Sequence, residues 1–162
     1  MAKRLIRLDI VNGNPRSIVC AENLEQGLFV EIKGKANNVH LGGTEEEPLA
    51  DYEAYEVELA TSSTERGQLM LHASVANMYD ERLSEVDFEL EAGRVGRAYQ
   101  PVMGDIVTIP VIEDVAVGNK LGLDDDGLLK VVESNAIAIV EALEDINIPE
   151  ADAQESMVIR FL

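Results

Sequence analysis

Apolar residues in this chain come in short alternating runs cut by turn residues, and that period of two constrains the fold more than any other feature. Tyr55, Val57 and Leu59 alternate with Ala54, Glu56 and Glu58, and Met157, Ile159 and Phe161 alternate with Val158, Arg160 and Leu162. Successive side chains of a strand point to opposite faces, so each run reads as a strand with one face on a core. Lys3 to Val11 reads the same way. Ile6, Leu8 and Ile10 face inward, Arg7, Asp9 and Val11 face outward, and Asn12-Gly13-Asn14-Pro15 ends the run with turn chemistry. Ser17 to Cys20 is a second short strand or the hairpin partner of the first. Leu28 to Lys33, ending at Gly34, and Gln68 to Ser74, after a turn-like Thr61 to Gly67, extend the series.

The C-terminal third continues it. Asp105 to Ile109 reads as a strand stopped by Pro110, and Leu121 to Leu123 and Leu128 to Val132 flank Asp124-Asp125-Asp126-Gly127 as a hairpin. Ala136 to Leu143 is apolar up to Glu141 and reads as a central strand covered on both faces. Helical windows are brief: one turn over Glu22 to Gln26 closed by Gly27, then Val75 to Tyr79, then Ser84 to Leu90 with Ser84 as N-cap. The expected fold is mainly β, a sandwich or partly closed barrel with a few short helices. It forms one β-rich domain over residues 1–162, with an N-terminal strand or arm over about 1–12 and an acidic surface loop over about 35–51. A second acidic loop is expected over Glu144 to Glu155. Aromatic residues make up only 4% of the chain and Trp is absent, so Val, Ile and Leu must build the core.

Charge narrows the function. The net charge is −18. Phosphate backbones and anionic membranes repel such a chain, so neither nucleic acid nor membrane is an expected partner. The charge keeps free subunits soluble and apart and suits docking on a partner with basic groups. No apolar run is long enough for a membrane span or a secretory signal. Cys20 is the sole cysteine, so no internal disulfide forms, and its apolar setting reads as a buried, inert thiol in a reducing compartment.

Signals for chemistry are weak. The adjacent acids Asp124 to Asp126 lack the alternating ligand spacing of a calcium loop and read as a solvated turn. His40 and His72 have no His or Cys partner at metal-ligand spacing, so each reads as a satisfied or surface imidazole. Gly93-Arg94-Val95-Gly96-Arg97 lacks the ending of a phosphate loop and reads as a turn carrying two cations. No catalytic residue, metal ligand or cofactor is expected. Six cations stand out on so acidic a chain: Lys3, Arg4, Arg7 and Arg16 near the N-terminus, and Arg94 and Arg97. They are candidate partner contacts, set against the plainer reading as ordinary surface charge.

Met78-Tyr79-Asp80-Glu81-Arg82, Asp87-Phe88, Glu91-Ala92-Gly93-Arg94, Arg97-Ala98-Tyr99 and Gly104-Asp105-Ile106 resemble segments of small head proteins encoded beside the major capsid gene in tailed bacteriophages. Glu22-Asn23-Leu24, Gly27-Leu28-Phe29-Val30, Val117-Gly118, Asp126-Gly127-Leu128 and the strand Ala136 to Val140 resemble the same group. The resemblance implies a decoration or cement subunit, made in the host cytoplasm and carried on the virion's capsid surface. Its partners would be the major capsid protein and neighbouring copies of itself, and no catalytic residues carry over. Three other classes remain open: a tail or connector component, an acidic DNA mimic, and a sugar-binding or hydrolytic module, the last discouraged by the few aromatics.

Overall fold

The computed structural model describes residues 7–35, 54–74, 89–110, 115–132, 140–146 and 156–162. The chain is mainly β, as the alternation predicts, and its barrel closes completely. Five strands form that barrel in the order β2-β5-β4-β6-β8: β2 (Pro15–Cys20), β4 (Phe29–Lys35), β5 (Tyr55–Leu59), β6 (Leu69–His72) and β8 (Val95–Tyr99). The β2/β5 pair is parallel and the other four are antiparallel. A six-stranded sheet has the order β1-β9-β13-β12-β10-β11. Its strands are β1 (Arg7–Ile10), β9 (Ile106–Pro110), β10 (Lys120–Leu123), β11 (Leu129–Val131), β12 (Val140–Ile146) and β13 (Ser156–Phe161). A two-residue ladder joins β3 (Leu24–Glu25) to β7 (Glu89–Leu90). The helical content of the described residues is one 3-10 turn, Arg66–Gln68.

Two apolar clusters hold these parts. Ile18, Cys20, Val30, Val57, Met70 and Ala98 fill the barrel interior, with Leu24, Leu28 and Leu90 packed beside them. A barrel of five strands leaves a narrow lumen, which aliphatic side chains and one flexible Met fill without aromatics. The second cluster lies between the barrel wall and the sheet. Phe29, Leu69 and Leu71 from the barrel meet Val107, Ile109, Leu121, Val140, Met157, Ile159 and Phe161 from the sheet. The rings of Phe29 and Phe161 meet edge-on, with centroids 6.1 Å apart. All four residues of β6 are therefore buried: Leu69 and Leu71 face the sheet while Met70 joins the lumen cluster.

Several local expectations change. Glu22 to Gln26 forms no helical turn, because Leu24 is buried and pairs with Leu90 across the β3/β7 ladder. Gly27, expected to close that turn, has a φ of 88° at the bend between β3 and β4 instead. The end of the helix expected over Ser84 to Leu90 is strand β7; residues 84–88, the helix over Val75 to Tyr79 and the loop over 36–51 lie outside the described residues. Ser17 to Cys20 makes no hairpin with the first strand, since β2 pairs with β5 and β8. In β1 a bulge between Leu8 and Ile10 shifts the facing, so Leu8 and Val11 both pack on the second cluster and Val11 does not point outward. The strand expected over Asp105 to Ile109 runs from Ile106 and takes in Pro110 as its last residue, one beyond the expected stop. The loop expected from Glu144 begins later, because β12 runs to Ile146. Nor is β12 covered on both faces: Glu141 is only half-buried and meets two cations.

Candidate functional site

The barrel separates the cations that the sequence groups together. Lys3 and Arg4 lie outside the described residues, and Arg7 opens the edge strand β1. Arg16 shares the inward phase of Ile18 and Cys20, yet it sits at the barrel's end, where its guanidinium lies 5.3 Å from the Tyr55 ring centroid. Its Nη1 also donates to the Tyr55 hydroxyl at 3.4 Å. Arg94 lies at the other end of the β2/β8 ladder, roughly 13 Å away at the usual strand rise. It is exposed and only 3.7 Å from Glu91, a pair of the weak surface kind. Arg97 faces outward opposite Ser17. Arg16, Arg94 and Arg97 therefore form no single patch.

Another group of cations does share a face. Lys120, Glu141 and Arg160 stand side by side on β10, β12 and β13. Glu141 lies 3.4 Å from the Lys120 ammonium and accepts from Arg160 Nη2 at 2.6 Å. These contacts hold the Glu141 carboxyl below its ordinary pKa, the Arg160 bond most of all. Lys130, exposed on β11 opposite Gly122, extends the row on the same face. Sequence reading missed this strip because its members lie far apart in the chain. The available signal was that each is the polar member of an alternating strand.

Three internal polar devices fix the frame around these surfaces. The buried Asp105 carboxylate accepts from the backbone N–H groups of Asn12 (2.9 Å), Gly13 (3.2 Å) and Val102 (3.0 Å), tying the β1/β2 turn to the turn before β9. Gly13 is required there, because a Cβ would lie 2.0 Å from the Gln100 carbonyl oxygen. That second turn presents Val102 and Met103 to solvent, Met103 at 83% exposure. The acidic hairpin forms the second device. Asp124 Oδ1 accepts from the N–H groups of Asp126 and Leu128, each at 2.9 Å, while Asp125 turns away to accept from the Ser62 hydroxyl at 2.7 Å. The Gly127 carbonyl accepts from Phe29 N–H at 2.8 Å, so this turn clasps the barrel and is not merely solvated. Among the described residues no group of three His, Cys, Asp or Glu side chains is placed to hold a metal.

The third device centres on His72, which is fully buried. Its Nε2 lies 2.7 Å from Ser74 Oγ, and its Nδ1 lies 2.8 Å from the Glu25 carbonyl oxygen. Ser74 Oγ also accepts from Arg97 N–H at 3.0 Å. A carbonyl can only accept, so Nδ1 carries the proton and Nε2 accepts from the Ser74 hydroxyl. Burial drives the His72 pKa down to about 4, the Glu25 bond only partly opposing it. This is the satisfied imidazole expected from the sequence. The adjacent serine was missed, although residues i and i+2 share one side of an extended chain. Hydroxyl and imidazole lie at the spacing of a nucleophile and its base, but both are sealed from solvent and committed to neighbouring backbone.

No protein-family model matches the chain, and no curated protein matches it. Among solved structures, it is similar to the N-terminal base of the head fibre protein gp8.5 of bacteriophage phi29, with a TM-score of 0.50 and 10% identity. The match covers 92% of this chain and 93% of that one. At that identity the likeness is one of fold.

Proposed function

We propose that this chain is a non-enzymatic structural protein of a tailed-phage virion that binds the outside of the capsid and stabilises it. The observation that carries the reading is the fold likeness to a phage head fibre base over nearly the whole of both chains. The segmental resemblance to head proteins points the same way. The physical case is also favourable. A shell subunit needs complementary surface, not a reaction centre, and many weak contacts repeated over a lattice add up. The major capsid protein is the proposed partner, with adjacent copies of the chain as a second contact. A second reading follows from the same likeness: the chain forms the base on which a projecting fibre is mounted.

Electron microscopy of heads assembled with and without the protein tests both. Decoration predicts added density repeated over the whole lattice, and a fibre base predicts density at fewer sites with a projection beyond it. Heads that gain no density and do not co-sediment with the protein would overturn the proposal. Density confined to the tail or portal would replace it with a tail or connector role.

A further inference from the structure

A cavity of about 320 Å³ opens where the barrel's parallel pair comes apart. The last bridge between β2 and β5 joins Cys20 to Val57. Beyond it β5 runs on to Leu59, while the chain leaves the wall at Ala21 and crosses to β3. The gap is walled by Cys20, Leu24, Val57 and Leu59 and edged by the carboxylates of Glu22 and Glu58. Its far wall is fixed, because Asn23 donates to Glu89 at 2.7 Å and accepts from Ala92 N–H at 2.9 Å. Burial pushes the Cys20 thiol pKa up, partly opposed by the backbone N–H of Glu22 and reinforced by the charges of Glu22 and Glu58. Glu58 is two-thirds exposed and meets Lys33 at 3.4 Å, a weak pair that an incoming cation can displace.

An apolar floor beneath two carboxylates matches a cation on an aliphatic stem, since such side chains lay their methylenes on apolar surface and keep the charge at the rim. The volume lies at the low end for ligand pockets, which suits one side chain better than a larger molecule. The net charge of −18 favours a partner with basic groups over a second copy of the chain. We propose that this cavity receives a lysine or arginine side chain of a partner protein, with its stem against Leu24, Val57 and Leu59 and its charge between Glu22 and Glu58. The assignment rests on the reading of the chain as a docking subunit.

Amide NMR of the isolated protein, titrated with blocked glycine pentapeptides carrying one central residue, tests the assignment without a capsid. Arginine or lysine at the centre should shift resonances of residues 20–24 and 57–59. Citrulline or norleucine at the centre should bind about tenfold more weakly, as expected for the loss of one charge-assisted contact. The double variant Glu22→Gln, Glu58→Gln should lose the arginine response by a similar factor while its spectrum elsewhere stays that of the folded protein. Shifts scattered over other carboxylates, equal binding of norleucine, or an undiminished response in the double variant would overturn the assignment. So would tighter binding of spermidine, which would give the cavity to a free polyamine. None of these outcomes bears on capsid binding, so the pocket and the head reading fail separately.

Discussion

His72 shows how a single buried side chain couples this fold to pH. Its ring nitrogens already have partners, and a proton on Nε2 would face a serine hydroxyl that must then find a new acceptor. The folded state therefore takes up that proton near pH 4, whereas an unfolded chain takes it up near 6.5. Between those values the unfolded state binds more protons, so the contribution of neutral His72 is intact above pH 6.5 and declines as pH falls to 4. The loss is about 3 kcal/mol in full. Denaturant unfolding at a series of pH values should show the decline, and His72→Gln should flatten it between pH 6.5 and 5. Asp105 makes a second prediction at this scale. Asp105→Ala strands three backbone donors, so it should destabilise by about 3 kcal/mol or more. Asp105→Asn keeps one acceptor oxygen and should cost less. Gly13→Ala should also be costly, since its methyl group would strike the Gln100 backbone.

At the scale of elements, the acidic hairpin is a clasp whose parts differ in importance. Gly127 has φ of 71°, and a Cβ there would lie 2.6 Å from the Phe29 carbonyl oxygen. Gly127→Ala should therefore lower the melting temperature clearly, while Asp125→Asn, at an exposed bond to Ser62, should change it little. Because Asp124 and Asp125 serve different partners, millimolar calcium should leave melting unchanged in a thermal scan. The hairpin was legible in the sequence because turn chemistry is local. So were β5 and the inward face of β13, where alternation runs unbroken. Long-range choices were not legible. Nothing in Ser17 to Cys20 says that it pairs with residues 55–57 and 95–97 and not with the strand before it. Leu24 and Leu90 form a ladder too short to carry any period, so helix was an equally good local reading. The basic strip of Lys120, Lys130 and Arg160 emerges only once sheet order is known.

For the whole molecule, the net charge of −18 would set the conditions of docking on the proposed capsid role. Arg7 opens β1 at the edge of the six-stranded sheet, and Lys3 and Arg4 come just before it in the sequence. On the proposed capsid role, replacing all three with Ala should slow association with undecorated heads and flatten its salt dependence, because peripheral charges act mainly on encounter. The isolated protein should melt nearly as before. Normal association kinetics across a range of salt would assign the three to ordinary surface charge.

The pairing of β2 with β8, and of β9 with β13, sets an order of events during synthesis. The barrel needs residues up to Tyr99 before its last seam can close, and the sheet must wait for β13. At about 5–20 residues per second, the roughly 60 residues from β8 to β13 take several seconds to emerge. Until β13 arrives, Phe29, Leu69 and Leu71 lack Met157, Ile159 and Phe161 from the cluster that covers them, and a nascent chain presents part of a greasy wall to its surroundings. Overproduction at high temperature should therefore favour inclusion bodies through this exposed wall. Chains truncated before Ser156 should associate even when their barrel has formed.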